Sequence, residues 1–394
     1  MVRIGILTFS NNENRGALLQ AYCVKQLLEQ EIEGSTVSVV DYRTKSKERS
    51  RRFNIFAKHP KKLPTLLNRI QDFRICENFA QNTLFEDTDQ LITNDHGEAV
   101  SWLEEKNYDL IITGSDEVWK IRSKREGIHK YTRPNRPFPN LYFLDPSLSA
   151  TTASYAASSN TTIPDRLNKY ERKTMERHIS AIDFVSVRDH HTKELLSDFG
   201  IKNVRKVPDP TLTVDIPIRS NSSRILKKNG IDVDKPVLNV HSEEHPAIRR
   251  ACKYYKNKGY QIISTRSSPY ADINMMGKVD PFEYYSLYNL CDLVLTTSLH
   301  STIFSLKNGT PFVTIDTNEI YRDIESKTHS LLRDFELLER HVPVSSHSRL
   351  LQEDQLEKYE MGLDQDHVKS KINKMRKDGR KYIQSIGQNI NQRN

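Results

Sequence analysis

The sequence predicts an α/β protein of two domains facing across a cleft, and three observations carry that prediction. Apolar strand patterns alternate with amphipathic helix patterns along most of the chain, the order that gives parallel sheets joined by helical crossovers. A length of 394 residues exceeds what one ordinary core fills. A polar, irregular linker at 213–235 separates an α/β series at 1–212 from a second at 236–350, and a charged helical tail follows at 351–394.

The elements follow in order. Arg3 to Phe9 reads as an apolar strand, and Gly16 to Gln30 as a helix with Leu18, Leu19, Tyr22, Leu27 and Leu28 near helical spacing. Val37 to Asp41 and Tyr108 to Thr113 are further strands, with a basic insertion at 43–74 between them. A polar loop at 120–140 precedes a strand of small residues at Ser154 to Ser159, and helix and strand patterns then alternate to Val207. The second series runs from a strand at Pro236 to His241, through a strand at Tyr260 to Ser264 and a helix at Pro281 to Leu290, to the strand Leu293 to Leu295. A helix carrying His300 in its first turn should stop at Gly309, with Pro311 blocking its continuation into the strand Phe312 to Ile315.

Candidate site residues cluster where strands hand over to helices, the edge at which open α/β sheets bind ligands. His300 sits at such an edge with Ser298 and Ser301 beside it, where a helix N-terminus can hold an anion; simple packing beneath a loop is the other reading. Asn14 and Gly16 open the first helix, as a ligand-facing turn or as an ordinary cap. Gly114-Ser115-Asp116-Glu117 puts adjacent carboxylates at a strand end, for acid–base work or to cap a following helix, and Trp119 adds a flat apolar face suited to a sugar ring. Arg188 at another strand end could take a carboxylate or phosphate in bidentate fashion, or pair with Asp189.

Charge and cysteine content exclude several classes. The net charge is +8, but 43–74 alone carries eleven Lys or Arg against Glu48 and Asp72, which leaves the remainder at −1. That segment has few aromatics and no nucleic-acid-binding signature, so a solvated insertion is expected, with docking to an acidic membrane surface or an anionic polymer as its alternative roles and no nucleic-acid partner. Four scattered cysteines form no CxxC pair, so neither a disulfide framework nor a zinc site is suggested, and the sequence gives no evidence for another metal or a cofactor. The chain starts on a strand and has no long apolar run, which predicts a soluble cytoplasmic protein, with peripheral contact at the inner membrane face as the one qualification.

Six stations in order across residues 4–316 resemble the polysaccharide pyruvyl transferase family. They are Ile4-Gly-Ile-Leu-Thr with Asn14, Gly16 and Leu19-Gln-Ala-Tyr22; Ile112-Thr-Gly-Ser-Asp-Glu-Val-Trp119; Ser154 to Ser159; Ser186-Val-Arg-Asp189; Asp209-Pro-Thr-Leu212; and Thr297-Ser-Leu-His300 through Pro311-Phe-Val313. The resemblance implies two Rossmann-like domains similar to GT-B glycosyltransferases. It implies transfer of a pyruvyl group from phosphoenolpyruvate, a donor substrate rather than a cofactor, to hydroxyls of a surface polysaccharide or its lipid-linked precursor. His300 would contact or protonate the donor, Arg188 would hold its anionic groups, and Asp116 or Glu117 would serve the acceptor hydroxyl. Some family members carry an arginine where this chain has Ser298, so one donor-clamping cation is absent. Two alternatives follow: a GT-B-like glycosyltransferase using a nucleotide sugar, and a non-catalytic glycan- or anion-binding protein.

Overall fold

The computed structural model describes the chain except residues 11–12, 50, 52–62, 86–88, 122–136, 220–221, 267 and 394. The chain divides into two units: 1–61, 76–214 and 375–394 form the first, and 62–75 with 215–374 the second.

In the first unit, β1 (Val2–Leu7), β2 (Ser35–Val39), β5 (Leu110–Asp116), β6 (Thr151–Ala157), β7 (Ser186–Val187) and β8 (Arg205–Lys206) make a parallel sheet in the order β2-β1-β5-β6-β7-β8. A separate parallel ladder joins β3 (Asp41–Arg43) to β4 (Gln90–Ile92). All seven residues of β6 are buried, as expected of a central strand covered on both faces. The helix Arg15–Glu31 returns the chain from β1 to β2; Leu18, Leu19, Leu27 and Leu28 are among its buried residues, and the Asn14 side chain accepts the Gly16 and Ala17 N–H groups. Strand order reverses between β1 and β5, and a doubly wound sheet opens its crevice at such a reversal.

The second unit repeats this logic. β9 (Val237–His241), β10 (Gln261–Ser264), β11 (Ile273–Asn274), β12 (Leu293–Thr296), β13 (Phe312–Ile315) and β14 (His341–Val342) form a parallel sheet ordered β11-β10-β9-β12-β13-β14, with its reversal between β9 and β12. The helix Leu299–Asn308 ends on Gly309 in the left-handed conformation, φ +70°, with Pro311 two residues on.

Three regions differ from the sequence reading. The stretch 213–235 contains the helix Ser222–Lys228, and Leu226 and Ile231 are buried, so polarity there marks a solvated face over a packed one. The tail helix Gln365–Arg393 is more than a charged rod: Tyr382, Ile383, Ile386 and Ile390 are buried in the first unit, and Tyr382 donates to the Ser154 carbonyl at 3.0 Å. Gly379 lets the helix approach closely, since a Cβ there would lie 2.5 Å from Thr213 Cγ2. The start of the basic segment is paired rather than solvated. Arg43 is buried against Asp41 at 2.9 Å and Glu48 at 3.2 Å, and Arg51 bonds Glu48 and Glu77, each at 3.1 Å. The part of that segment at 52–62 lies outside the described residues, as does most of the loop expected at 120–140. No helix among the described residues is long and apolar enough to cross a membrane, and all four cysteines are buried outside any disulfide.

Candidate active site

At the carboxyl end of β5 the backbone is tightly constrained. Gly114 has φ +106°, and a Cβ there would stand 2.4 Å from the Tyr155 carbonyl oxygen, so only glycine fits. Ser115 is fully buried; its Oγ donates to the Ala156 carbonyl at 3.0 Å and accepts from Gln20 Nε2 at 2.8 Å. Asp116 holds φ +86°, a conformation that costs a non-glycine residue about 1–3 kcal/mol and that needs surrounding structure to maintain it. Its Oδ1 accepts the Glu117 N–H at 2.8 Å and stands 3.6 Å from Arg188 Nη2. No helix starts in the described residues 117–121, so capping there does not account for these carboxylates; Glu117 reaches Lys120 at 3.7 Å.

Asp209 is the hub of this edge. Its Oδ1 accepts from the Thr211 N–H and hydroxyl, which starts the short helix Pro210–Thr213. Its Oδ2 accepts from Gln20 Nε2 at 2.6 Å and from Arg188 Nη1 at 3.1 Å. Gln20, Ser115, Arg188 and Asp209 come from four of the six stations, and one buried network unites them. Arg188 donates its hydrogen bond to Asp209, while Asp189 caps the helix His190–Asp198 through the Thr192 N–H. Burial alone would lower the Arg188 pKa; Asp209, Asp116, Asp189 and Glu117 outweigh it and raise it, so the guanidinium stays charged. Its Nε and Nη2 are buried and lack hydrogen-bond partners, a state that calls for an acceptor.

A further cation belongs here. Lys47 sits in the helical stretch 45–49 with its Nζ 4.1 Å from the centre of the Phe9 ring. Burial lowers its pKa to about 8, against the pull of Asp116 and with help from Arg43 and Arg51. The sequence offered no signal for Lys47, which looks like one cation among eleven in 43–74.

Trp119 corrects the sequence reading. It is fully buried, with its Nε1 donating to the Tyr142 carbonyl at 3.2 Å, so its ring belongs to the hydrophobic core and offers no face to a sugar.

In the second unit, His300 is 6% exposed in the first turn of its helix, its ring stacked at 6.3 Å on Phe304. Ser298 precedes that helix without a side-chain cap bond, and its N–H donates to Thr296 Oγ1. Ser301 points inward: it is fully buried and accepts from the Tyr288 hydroxyl at 2.8 Å. Across the strand-order reversal, His241 is in register with Thr296, and its Nδ1 lies 3.0 Å from Thr265 Oγ1 and 3.4 Å from the Tyr284 hydroxyl. Tyr284 bonds Tyr288 at 2.7 Å, so a buried chain of polar groups runs from His241 to the helix bearing His300. Asn239, two residues before His241, is fully buried with neither amide atom hydrogen-bonded. Sequence reasoning passed over His241 because a lone histidine ending a strand carries no motif.

Solved structures align with this chain over most of its length. A UDP-GlcNAc 2-epimerase from Methanocaldococcus jannaschii aligns over 92% of this chain and 93% of its own, at 14% identity and TM-score 0.50. UGT89C1 of Arabidopsis thaliana aligns over 98% and 99% at 12% identity and TM-score 0.48. The ADP-heptose lps heptosyltransferase II of E. coli aligns over 91% and 98% at 11% identity and TM-score 0.40. The chain thus has an α/β fold of parallel sheets in two domains, a build it shares with that epimerase. The family model "Polysaccharide pyruvyl transferase" matches residues 14–319, and the chain belongs to that family. No curated protein matches it.

Proposed function

We propose that this transferase moves a pyruvyl group from phosphoenolpyruvate to two hydroxyls of a saccharide, forming a cyclic ketal and releasing phosphate. The observation that carries the reading is Arg188: a buried guanidinium, kept charged by carboxylates, with two nitrogen sites lacking hydrogen-bond acceptors. A carboxylate or phosphate of the donor would satisfy them.

The chemistry proceeds by proton transfer and substitution. A proton added to the methylene carbon makes the adjacent carbon electrophilic; one sugar hydroxyl attacks it and gives up its proton. Cleavage of the carbon–oxygen bond to phosphate then releases inorganic phosphate, and the second hydroxyl closes the ring with loss of its proton. His300 contacts the donor or delivers the first proton, while Asp116 or Glu117 receives a proton from the acceptor. Thr297 and Ser298 supply hydroxyls where some relatives supply a cation.

The test is incubation of the purified protein with phosphoenolpyruvate and a panel of glycans. Phosphate release coupled to an acid-labile ketal is the expected result. Absence of both, together with calorimetric binding of a nucleotide sugar, would replace this reading with glycosyl transfer.

A further inference from the structure

Apart from the strand edges, the first unit gathers His96, Asp145 and His178 from three elements. His96 opens the helix His96–Glu104, Asp145 lies in the loop before β6, and His178 is in the last turn of the helix Lys169–Ser180. The hydrogen bonds of these three are distinct from the Gln20–Ser115–Arg188–Asp209 network described above. One ligand-type atom from each residue lies within 4.8 Å of the other two.

The surroundings orient these groups. A carbonyl can only accept, so the contact of 2.6 Å between His178 Nδ1 and the Leu144 oxygen puts the proton on Nδ1 and leaves Nε2 with a lone pair. Ser147 occupies Asp145 Oδ1 through its N–H at 2.9 Å and its hydroxyl at 2.6 Å. That leaves Oδ2, which is 2.8 Å from His96 Nε2. The other His96 nitrogen, Nδ1, is buried without a hydrogen-bond partner. Nδ1 points away from Asp145, so the ligand His96 offers this cluster is Nε2, beside Asp145 Oδ2 and within 4.8 Å of a His178 ring nitrogen.

We propose that His96, Asp145 and His178 bind a divalent transition-metal ion of the zinc type. Two imidazoles and one carboxylate suit zinc and its neighbours, whereas magnesium and calcium favour oxygen ligands alone. An ion there would tie together two helices and a loop, which makes its role structural. One group opposes it: Arg177, on an exposed side chain, places Nη2 3.4 Å from His178 Nε2 and must swing aside.

The experiment is titration of the chelator-treated full chain with Co²⁺, followed by its visible absorption bands, then Zn²⁺ competition by calorimetry. One equivalent should bind, and thermal unfolding should shift upward by several degrees with excess Zn²⁺ (about 4–8 °C per kcal/mol in a small domain, less in a larger one). His96→Gln and Asp145→Asn should each weaken binding about tenfold or more, with circular dichroism unchanged, and Arg177→Gln should tighten it. His178 is too buried to be the first position changed. Absence of saturable binding would overturn the proposal, as would one-equivalent binding that both His96→Gln and Asp145→Asn leave intact.

Discussion

The two strand-order reversals share a topology and differ in chemistry. At the β1/β5 reversal the groups are fixed charges: Arg188 against Asp209 and Asp116, with Lys47 close by. At the β9/β12 reversal they are imidazoles and hydroxyls: His241, Thr265, Tyr284, Tyr288 and Ser301. The parallel sheet supplies a crevice in each unit, and local residues decide what it can do. Under the proposed function, the first edge anchors an anion and the second handles a proton, because a paired guanidinium holds its charge near neutral pH while an imidazole can change its own.

The largest expected effect breaks the first edge. Arg188→Ala leaves buried Asp209 and part-buried Asp116 without their cation, which should destabilise the first unit by about 3–5 kcal/mol in urea unfolding and abolish turnover. Arg188→Lys keeps the charge and loses the fork, so it should recover much of the stability and little of the activity. An unchanged unfolding midpoint in Arg188→Ala would show that the network carries no load.

His300 sharpens the contrast because function and stability should separate there. His300→Asn should cost turnover about 10²-fold or more, the usual contribution of a positioned acid or base, with a smaller loss of stability than Arg188→Ala. Undiminished glycan modification in cells carrying this variant would remove His300 from the mechanism.

Sequence legibility divides along the same line. Strands, helix ends and the Gly309-Pro311 stop were readable because they depend on local pattern. Arg188 and His300 stand where the local pattern puts them, one directly after a strand and the other in the first turn of a helix. Trp119 was misplaced because a motif shows which residue follows a strand and not which way its ring turns. Lys47 was hidden because its significance comes from Phe9 and Asp116, which are remote in sequence. The tail failed similarly: its lysines and arginines are plain in sequence, while the apolar stripe of Tyr382, Ile383, Ile386 and Ile390 becomes core only once a partner surface exists.

Lys47 tests whether the first edge is wholly fixed in charge. Burial lowers its pKa from 10.5 to about 8, so between those values the unfolded chain binds the proton that the folded chain has released. Stability from this group therefore rises with pH across that window, and the cost of burying the ammonium is fully present below about pH 8. Lys47→Met should remove that slope and stabilise the first unit by about 1–3 kcal/mol at pH 7. Urea unfolding at pH 7, 8 and 9.5 measures it. A parallel slope in Lys47→Met and the parent would assign the titration to another group.

The smallest effect probes the second edge. Tyr288→Phe removes one hydroxyl from the chain that links His241 and Tyr284 to Ser301, leaving the Ser301 and Tyr284 oxygens each short of one bond. The ring stays packed against Phe304, so no cavity opens and the cost should be about 1–2 kcal/mol, the range for an unsatisfied buried polar group. Burial raises the Tyr288 pKa well above its ordinary value, so the hydroxyl is neutral and its loss should add no pH dependence to stability. A shift in the pH–rate profile of Tyr288→Phe, with stability changed by that small amount, would mean that the hydroxyl chain sets the protonation of the imidazoles. An unmoved profile would confine the chain to holding the helix of His300 against the sheet.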